Sequence, residues 1–260
     1  MVFEQKKVQL PEQRPETSLG HYIFSRQKEL ILDLVAPHAG ERVLEVGCGT
    51  GNYLQFFREK WCSVTGIDPC AETLNIARSK LGENAELLVG KAEDIPFSDD
   101  DFDIVTLINI LEIANNPQKV IAEAIRVCRN RVFIGFLNNF SFAGTKQRLK
   151  ELSGFPLSQK IRFFSLSEIK IMVGSLIGDV AIKWGSVIYF PGIFYGFSEE
   201  LEELFPLEKN PLGAFAGLTF PVKYTYKTVQ SPVMESFKLN AEASASASGT
   251  VRNMLQETHK

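Results

Sequence analysis

Apolar runs of two kinds alternate along the first half of the chain. One kind is short, rich in β-branched residues and nearly unbroken, as expected of strands covered on both faces. It occupies residues 42–46, 62–67, 85–90, 102–109 and 131–137. The other kind recurs at helical spacing. It includes Ile23, Leu30, Ile31, Leu34 and Val35 within 20–35, then Tyr53, Leu54, Phe56 and Phe57 after Gly51, then Ala71–Leu81. A further helical stripe follows in Val120, Ile121, Ala124, Ile125, Val127 and Cys128, with Pro117 at the first helical position and Asn116 as its cap. Ser165 opens one more helix, to about Leu176, and Glu168 completes a capping-box pattern. Two later strands are predicted over 180–190 and 217–226. Strands alternating with helices imply an α/β fold built on a parallel sheet.

The flanks carry no such pattern. Residues 1–19 are polar with Pro11 and Pro15, which suggests a flexible arm. Residues 228–260 include the alternating Ala/Ser stretch 241–249 and read as a low-complexity, disordered tail. Between them, 20–227 forms one expected domain, and with 260 residues at 45% hydrophobic content the chain can bury one substantial core. Two connections, about 139–164 and 191–212, are too long for ordinary loops. Both are candidates for caps over a substrate at the carboxyl edge of the sheet.

Charge and cysteine narrow the function classes. A formal charge of −3 gives no pull toward polyanions, so nucleic acid is not an expected partner. No run of about 18 apolar residues exists and the N-terminus lacks a signal-peptide core, so no membrane span and a soluble, cytoplasmic protein are expected. Cys48, Cys62, Cys70 and Cys128 show no Cys-x-x-Cys spacing and read as reduced thiols, with no metal site indicated.

The chemistry starts at the end of the first strand, in Glu45-Val46-Gly47-Cys48-Gly49-Thr50-Gly51. Glycines at alternate positions let the backbone bend sharply and let a ligand approach the main chain, and the next helix turns its free N–H groups toward that ligand. A dinucleotide fingerprint in this register needs glycine at position 52, which is Asn52, so a NAD-dependent dehydrogenase is disfavoured. No Gly-Lys-Ser/Thr closes a phosphate loop either. The second strand ends at Asp68, 21 residues after Gly47, where a carboxylate in a βαβ unit can accept from both hydroxyls of a ribose. By itself an Asp-Pro pair reads equally as a turn or cap for the next helix.

The Glu-x-Gly-x-Gly-x-Gly turn, the strand-two acid and Lys91-Ala92-Glu93-Asp94-Ile95-Pro96-Phe97 together resemble the class I S-adenosylmethionine (SAM) dependent methyltransferases, in particular the small-molecule branch that includes the quinone-biosynthesis enzymes. The resemblance spans roughly 20–226 and is specific as far as Asp103. It implies a Rossmann-like open sheet of seven mostly parallel strands with an antiparallel last strand and helices on both faces. It also implies SAM as cofactor, held by Glu45, Gly47, Cys48, Gly49, Gly51, Asp68, Ala92, Glu93, Asp94 and Ile108, with the acidic loop closing on the adenine ring. The acceptor implied is a small molecule, and the phenylalanine-rich second half suggests an apolar or aromatic one, although those rings serve equally well as core. A non-catalytic SAM-binding module and a protein methyltransferase are the alternatives, and the chain is expected to be a monomer or homodimer. The chain departs from the family at Glu112-Ile113, where a histidine pair is common, and at Arg129-Asn130-Arg131, where Lys-Pro-Gly-Gly is common. No catalytic group is obvious. His21, on a segment that folds across the cofactor in this family, and Glu112, just beyond strand four, are the candidates for a base, and Tyr22 is a candidate to cover SAM.

Overall fold

Seven strands form one sheet in the order β3-β2-β1-β4-β5-β7-β6. The computed structural model describes residues 18–141, 162–189 and 210–222, all in the first (Met1–Lys223) of the two units into which the chain divides. The arm before residue 18, most of both expected caps and the tail from 228 lie outside the described residues. The strands are β1 (Arg42–Val46), β2 (Ser63–Asp68), β3 (Ala85–Val89), β4 (Phe102–Ile108), β5 (Cys128–Leu137), β6 (Lys183–Val187) and β7 (Phe215–Pro221). β1 to β5 pair in parallel, and β7 runs antiparallel between β5 and β6. The sheet order reverses beside β1, which places a crevice at the carboxyl ends of β1 and β4, where open α/β sheets bind ligands.

Helices α1 (Ser18–Val35), α2 (Asn52–Glu59) and α3 (Ala71–Leu81) share one core with Val43, Val64, Ile104 and Phe133. Helices α4 (Pro117–Val127) and α5 (Leu166–Ile177) share the other with Leu44, Val105, Val132 and Leu218. Alternate strand residues thus feed opposite faces, the period-two consequence of the pleat. The described phenylalanines of the second half divide accordingly. Phe133, Phe136, Phe164, Phe215 and Phe220 are fully buried core, whereas Phe140 is exposed.

Local rules hold at the helix starts. Asn116 accepts from the Lys119 N–H ahead of Pro117, and Ser165 and Glu168 complete the reciprocal box. Several boundaries differ from expectation: β6 spans Lys183–Val187 where 180–190 was expected, and β7 spans Phe215–Pro221 where 217–226 was expected. Cys128 belongs to β5, not to the preceding helix, because α4 passes into the strand without a turn. Phe102 pairs with Cys128 but Ile104 with Arg131, so β5 carries one extra residue against β4 and bulges there. The Cys128 thiol donates to the Arg131 carbonyl across that bulge at 3.0 Å.

Arg131 ties α1 to the sheet. Its guanidinium donates to the Val35 and Ala36 carbonyls, at 2.7 and 3.1 Å, and to both oxygens of Glu41. A cation thereby caps the C-terminus of α1, which ends with no basic residue of its own in the last turn. At the far half of the sheet, Gly135, Gly217 and Gly185 stand in one cross-strand row. A Cβ on Gly217 would lie 2.9 Å from the Phe133 ring and 3.2 Å from Leu30, and one on Gly135 would lie 2.5 Å from the Phe215 ring. The missing side chains form a trough that receives these rings and α1.

Candidate functional site

β1 ends in a turn whose three glycines all take positive φ: 77° at Gly47, 50° at Gly49 and 76° at Gly51. The Gly47 and Cys48 N–H groups both donate to the Ile67 carbonyl, at 2.7 and 3.1 Å, which swings the chain toward β2. A Cβ on Gly47 would sit 2.6 Å from Ile110, and one on Gly51 would sit 3.0 Å from Leu81, so these two glycines are required by packing as well as by conformation. Gly49 differs: no atom lies within 4 Å of where its Cβ would be. The turn is closed on its protein side and open at its tip.

Asp68 faces that tip from the end of β2. Its Oδ2 accepts the Gly49 N–H at 2.9 Å, and its Oδ1 accepts the Cys70 N–H at 2.8 Å and the Thr73 hydroxyl at 3.2 Å. The turn-forming reading of Asp-Pro is therefore realised. An ionised carboxylate offers about four lone-pair positions, so one on Oδ2 remains for a ligand.

Glu45 stands in β1 between Gly66 of β2 and Thr106 of β4, only 2% exposed. Burial is the main reason its carboxyl titrates well above the ordinary range; a hydrogen bond from the Leu54 backbone opposes the shift, and the Asp68 charge adds to it. The contact with Leu54 means that Glu45 caps the first turn of α2 from the strand, a task the cap residue Gly51 cannot perform for lack of a side chain. Its Oε2 is buried without a partner. Cys48 is buried, its sulfur occupying the space that a Cβ on Gly66 would take, 2.6 Å away. Burial, with the nearby Glu45 and Asp68 charges, holds its thiol protonated.

The 91–97 loop is pinned from α4. Ala92 is buried, Asp94 is exposed, and Glu93 Oε1 accepts the Asn115 N–H at 3.1 Å, joining this loop to the one after β4. Glu123 Oε2 accepts the Ile95 N–H at 3.0 Å. Arg126 donates to the Ile95 and Phe97 carbonyls, to Asp99 and to both oxygens of Glu123. These five contacts match the five N–H donors of a guanidinium. Neither Glu123 nor Arg126 is marked by a motif; their spacing of three on α4 was the available signal.

Beyond β4, Ile108 is buried and Asn109 takes φ 54°, a left-handed conformation that asparagine tolerates better than most residues. The Asn109 N–H donates to the Gly135 carbonyl at 2.9 Å, while its side-chain Oδ1 is buried without a partner. Glu112 is 3% exposed. Its Oε1 accepts the Leu137 N–H at 2.6 Å, and its Oε2 is buried without a partner. Burial pushes this carboxyl up to about 7, against the opposing hydrogen bonds from the backbone N–H groups of Leu137 and Glu112 itself. His21 is exposed near the start of α1, and Tyr22 beside it is buried. α1 also reaches α2 through the Tyr53 hydroxyl, which donates to Gln27 at 2.6 Å.

The residues present fit SAM. The open tip at Gly49, the remaining acceptor position on Asp68 and the orphaned oxygens of Glu45 and Asn109 suit a ligand rich in hydroxyl and amino donors. With the strand order and the single reversed strand, they give the described residues the likeness of a class I SAM-dependent methyltransferase domain. Residues 44–135 match the family model described as a methyltransferase domain. An uncharacterized protein of Methanocaldococcus jannaschii is 33% identical over 138 residues, 52% of this chain and 63% of that protein. The demethylmenaquinone methyltransferase of Renibacterium salmoninarum is 31% identical over 104 residues, 40% of this chain and 44% of the other. The match thus spans less than two thirds of either curated relative. Among solved structures, a SAM-dependent methyltransferase of Thermotoga maritima, described as a possible histamine N-methyltransferase, aligns with a TM-score of 0.60 at 21% identity, over 79% of this chain and 96% of its own. At that identity the likeness carries the fold alone.

Proposed function

We propose that the chain transfers the methyl group of SAM to a small-molecule acceptor bound at the carboxyl ends of β4 and β5. The observation that carries this reading is the pairing of Gly49 and Asp68: a donor–acceptor contact at 2.9 Å beside a glycine with open space where its Cβ would be. In this reading Gly47, Gly49 and Gly51 give main-chain access, Asp68 takes a ribose hydroxyl, and the 91–97 loop lies along the adenine. The sulfonium supplies the reactive methyl. The protein's part is to bind, align and exclude water, and positioning alone contributes on the order of 7–11 kcal/mol at best. The Renibacterium relative, named a demethylmenaquinone methyltransferase, supports a small-molecule acceptor. The acidic balance of the chain gives no pull toward nucleic acid, and no helix among the described residues is long and apolar enough to cross a membrane.

Calorimetric titration with SAM and with NAD tests the reading. Micromolar SAM binding is expected, with none for NAD, and with at least tenfold weakening in Asp68→Ala. Gly49→Asn is the sharper variant, because asparagine tolerates φ 50° and its side chain enters only the open space. A folded Gly49→Asn protein that still binds SAM normally would count against the cradle.

A further inference from the structure

We propose that Glu112 is a catalytic base of the methyl-transfer site, its free Oε2 receiving the proton of an acceptor that methylates through a hydroxyl or enol oxygen. The proposal deepens the methyltransferase reading and rests on it. Its ground is geometry. Three buried side-chain oxygens without partners, Glu45 Oε2, Asn109 Oδ1 and Glu112 Oε2, belong to β1 and to the segment leaving β4, around the crevice where the strand order reverses. Buried polar atoms are rarely left unpaired, and each such group costs roughly 1–3 kcal/mol unless something satisfies it. Glu45 lies beside the cradle, held by its contact with Leu54. Glu112 lies farther along the edge, beside the end of β5, and its Oε1 is fixed by the Leu137 N–H at 2.6 Å. One oxygen is anchored and the other is left to react, which is the arrangement a positioned proton acceptor needs.

Among the described residues no charged side chain is bonded to the Glu112 carboxyl. β5 ends beside Glu112 in Leu137 and Asn138, both uncharged. The 162–165 segment brings Arg162, whose N–H donates to the Glu112 carbonyl at 3.2 Å while its guanidinium stacks over Phe164 at 4.8 Å. The nearby Glu93 carboxylate is engaged with the Asn115 N–H. A carboxyl so placed changes protonation near neutral pH, where a base is useful. The proton balance is simple. Glu112 Oε2 takes the O–H proton, the electron pair so freed forms the new bond to the methyl carbon, and the pair of the broken carbon–sulfur bond stays on sulfur. Water then carries the proton away from Glu112.

The test needs no knowledge of the acceptor. SAM carries a positive sulfonium, and S-adenosylhomocysteine (SAH) does not. A carboxyl beside the reacting methyl, about 6 Å from the sulfonium, titrates lower with SAM bound than with SAH bound, by about two pH units at an effective dielectric near 20. The measurement is a carbon NMR titration of protein labelled at the glutamate carboxyls, saturated with each ligand, with the Glu112 signal assigned by its loss in Glu112→Gln. If that variant does not fold, Glu112→Asp provides the assignment. A midpoint lower by about two units with SAM supports the proposal. Equal midpoints in two well-formed complexes overturn it and leave the cofactor reading intact. Failure of SAM to bind at all sinks that reading, and the proposal with it.

Discussion

Glu123 and Arg126 lie three residues apart on α4 and together grip the 95–99 segment, Glu123 accepting the Ile95 N–H and Arg126 donating to the Ile95 and Phe97 carbonyls. Arg126 raises no motif, yet its guanidinium makes five contacts to its helix neighbour and to this loop. Hydrogen bonds from charged groups contribute about 1.5–3 kcal/mol each when well made, less when partly exposed as here. Arg126→Ala is therefore expected to lower stability by roughly 1–3 kcal/mol and to weaken SAM binding several-fold. Arg126→Lys should not restore it, since an ammonium cannot replace a planar fork. Denaturant melts paired with calorimetry check both parts.

Gly47 and Ile110 define a second dependence. A Cβ at Gly47 meets the Ile110 side chain at 2.6 Å and also has to adopt φ 77°. Gly47→Ala should cost about 1–3 kcal/mol, and adding Ile110→Val should recover only the steric part. Full recovery in the double variant, measured by urea unfolding, would show that backbone conformation is not at stake.

Glu112 makes a pH prediction with a definite sign. Its folded carboxyl titrates at about 7 because of burial, from an ordinary value of 4.5. Between those two values the folded state binds more protons than the unfolded one, so stability falls as pH rises through the window. Glu112→Gln, which retains an acceptor for Leu137, is expected to be more stable than the parent at pH 8, by up to about 3 kcal/mol. The difference should vanish near pH 4. Melting temperatures across that range decide it.

Arg131 predicts an effect on α1 alone. Burial raises the Glu41 carboxyl, and the Arg131 contacts outweigh it and bring the value below the ordinary range. Arg131→Ala should cost about 2–4 kcal/mol, because Glu41 loses its partner and the α1 carbonyls lose their cap. Hydrogen exchange should quicken in the last turn of α1 before it does in β1 or β4.

Strand positions, helix starts and the glycine turn were legible because each rests on neighbours in sequence: an unbroken apolar run, a Ser-x-x-Glu box, a glycine every second residue. Asp68 was legible for the same reason, through its distance from Gly47, although its contacts with Cys70 and Thr73 show that it shapes the turn as well. What escaped depends on folding. Glu45 caps α2 from a strand, and nothing in its motif marks that contact with Leu54. The start of β5 at Cys128 escaped because a buried cysteine suits a helix stripe and a strand equally well, and only the bulge against β4 distinguishes them. Glu112 was identifiable as a carboxyl beyond β4, but its burial and its tether to the Leu137 N–H were not.

The glycine row on β5, β7 and β6 has a consequence for anyone who would redesign the protein. Gly135, Gly217, Phe133, Phe215 and Leu30 share one volume, so a residue enlarged at either glycine must be matched by one reduced among the other three. Gly217→Ala paired with Phe133→Leu is the natural exchange. These five positions belong to three different elements, and they accept change as one unit or not at all.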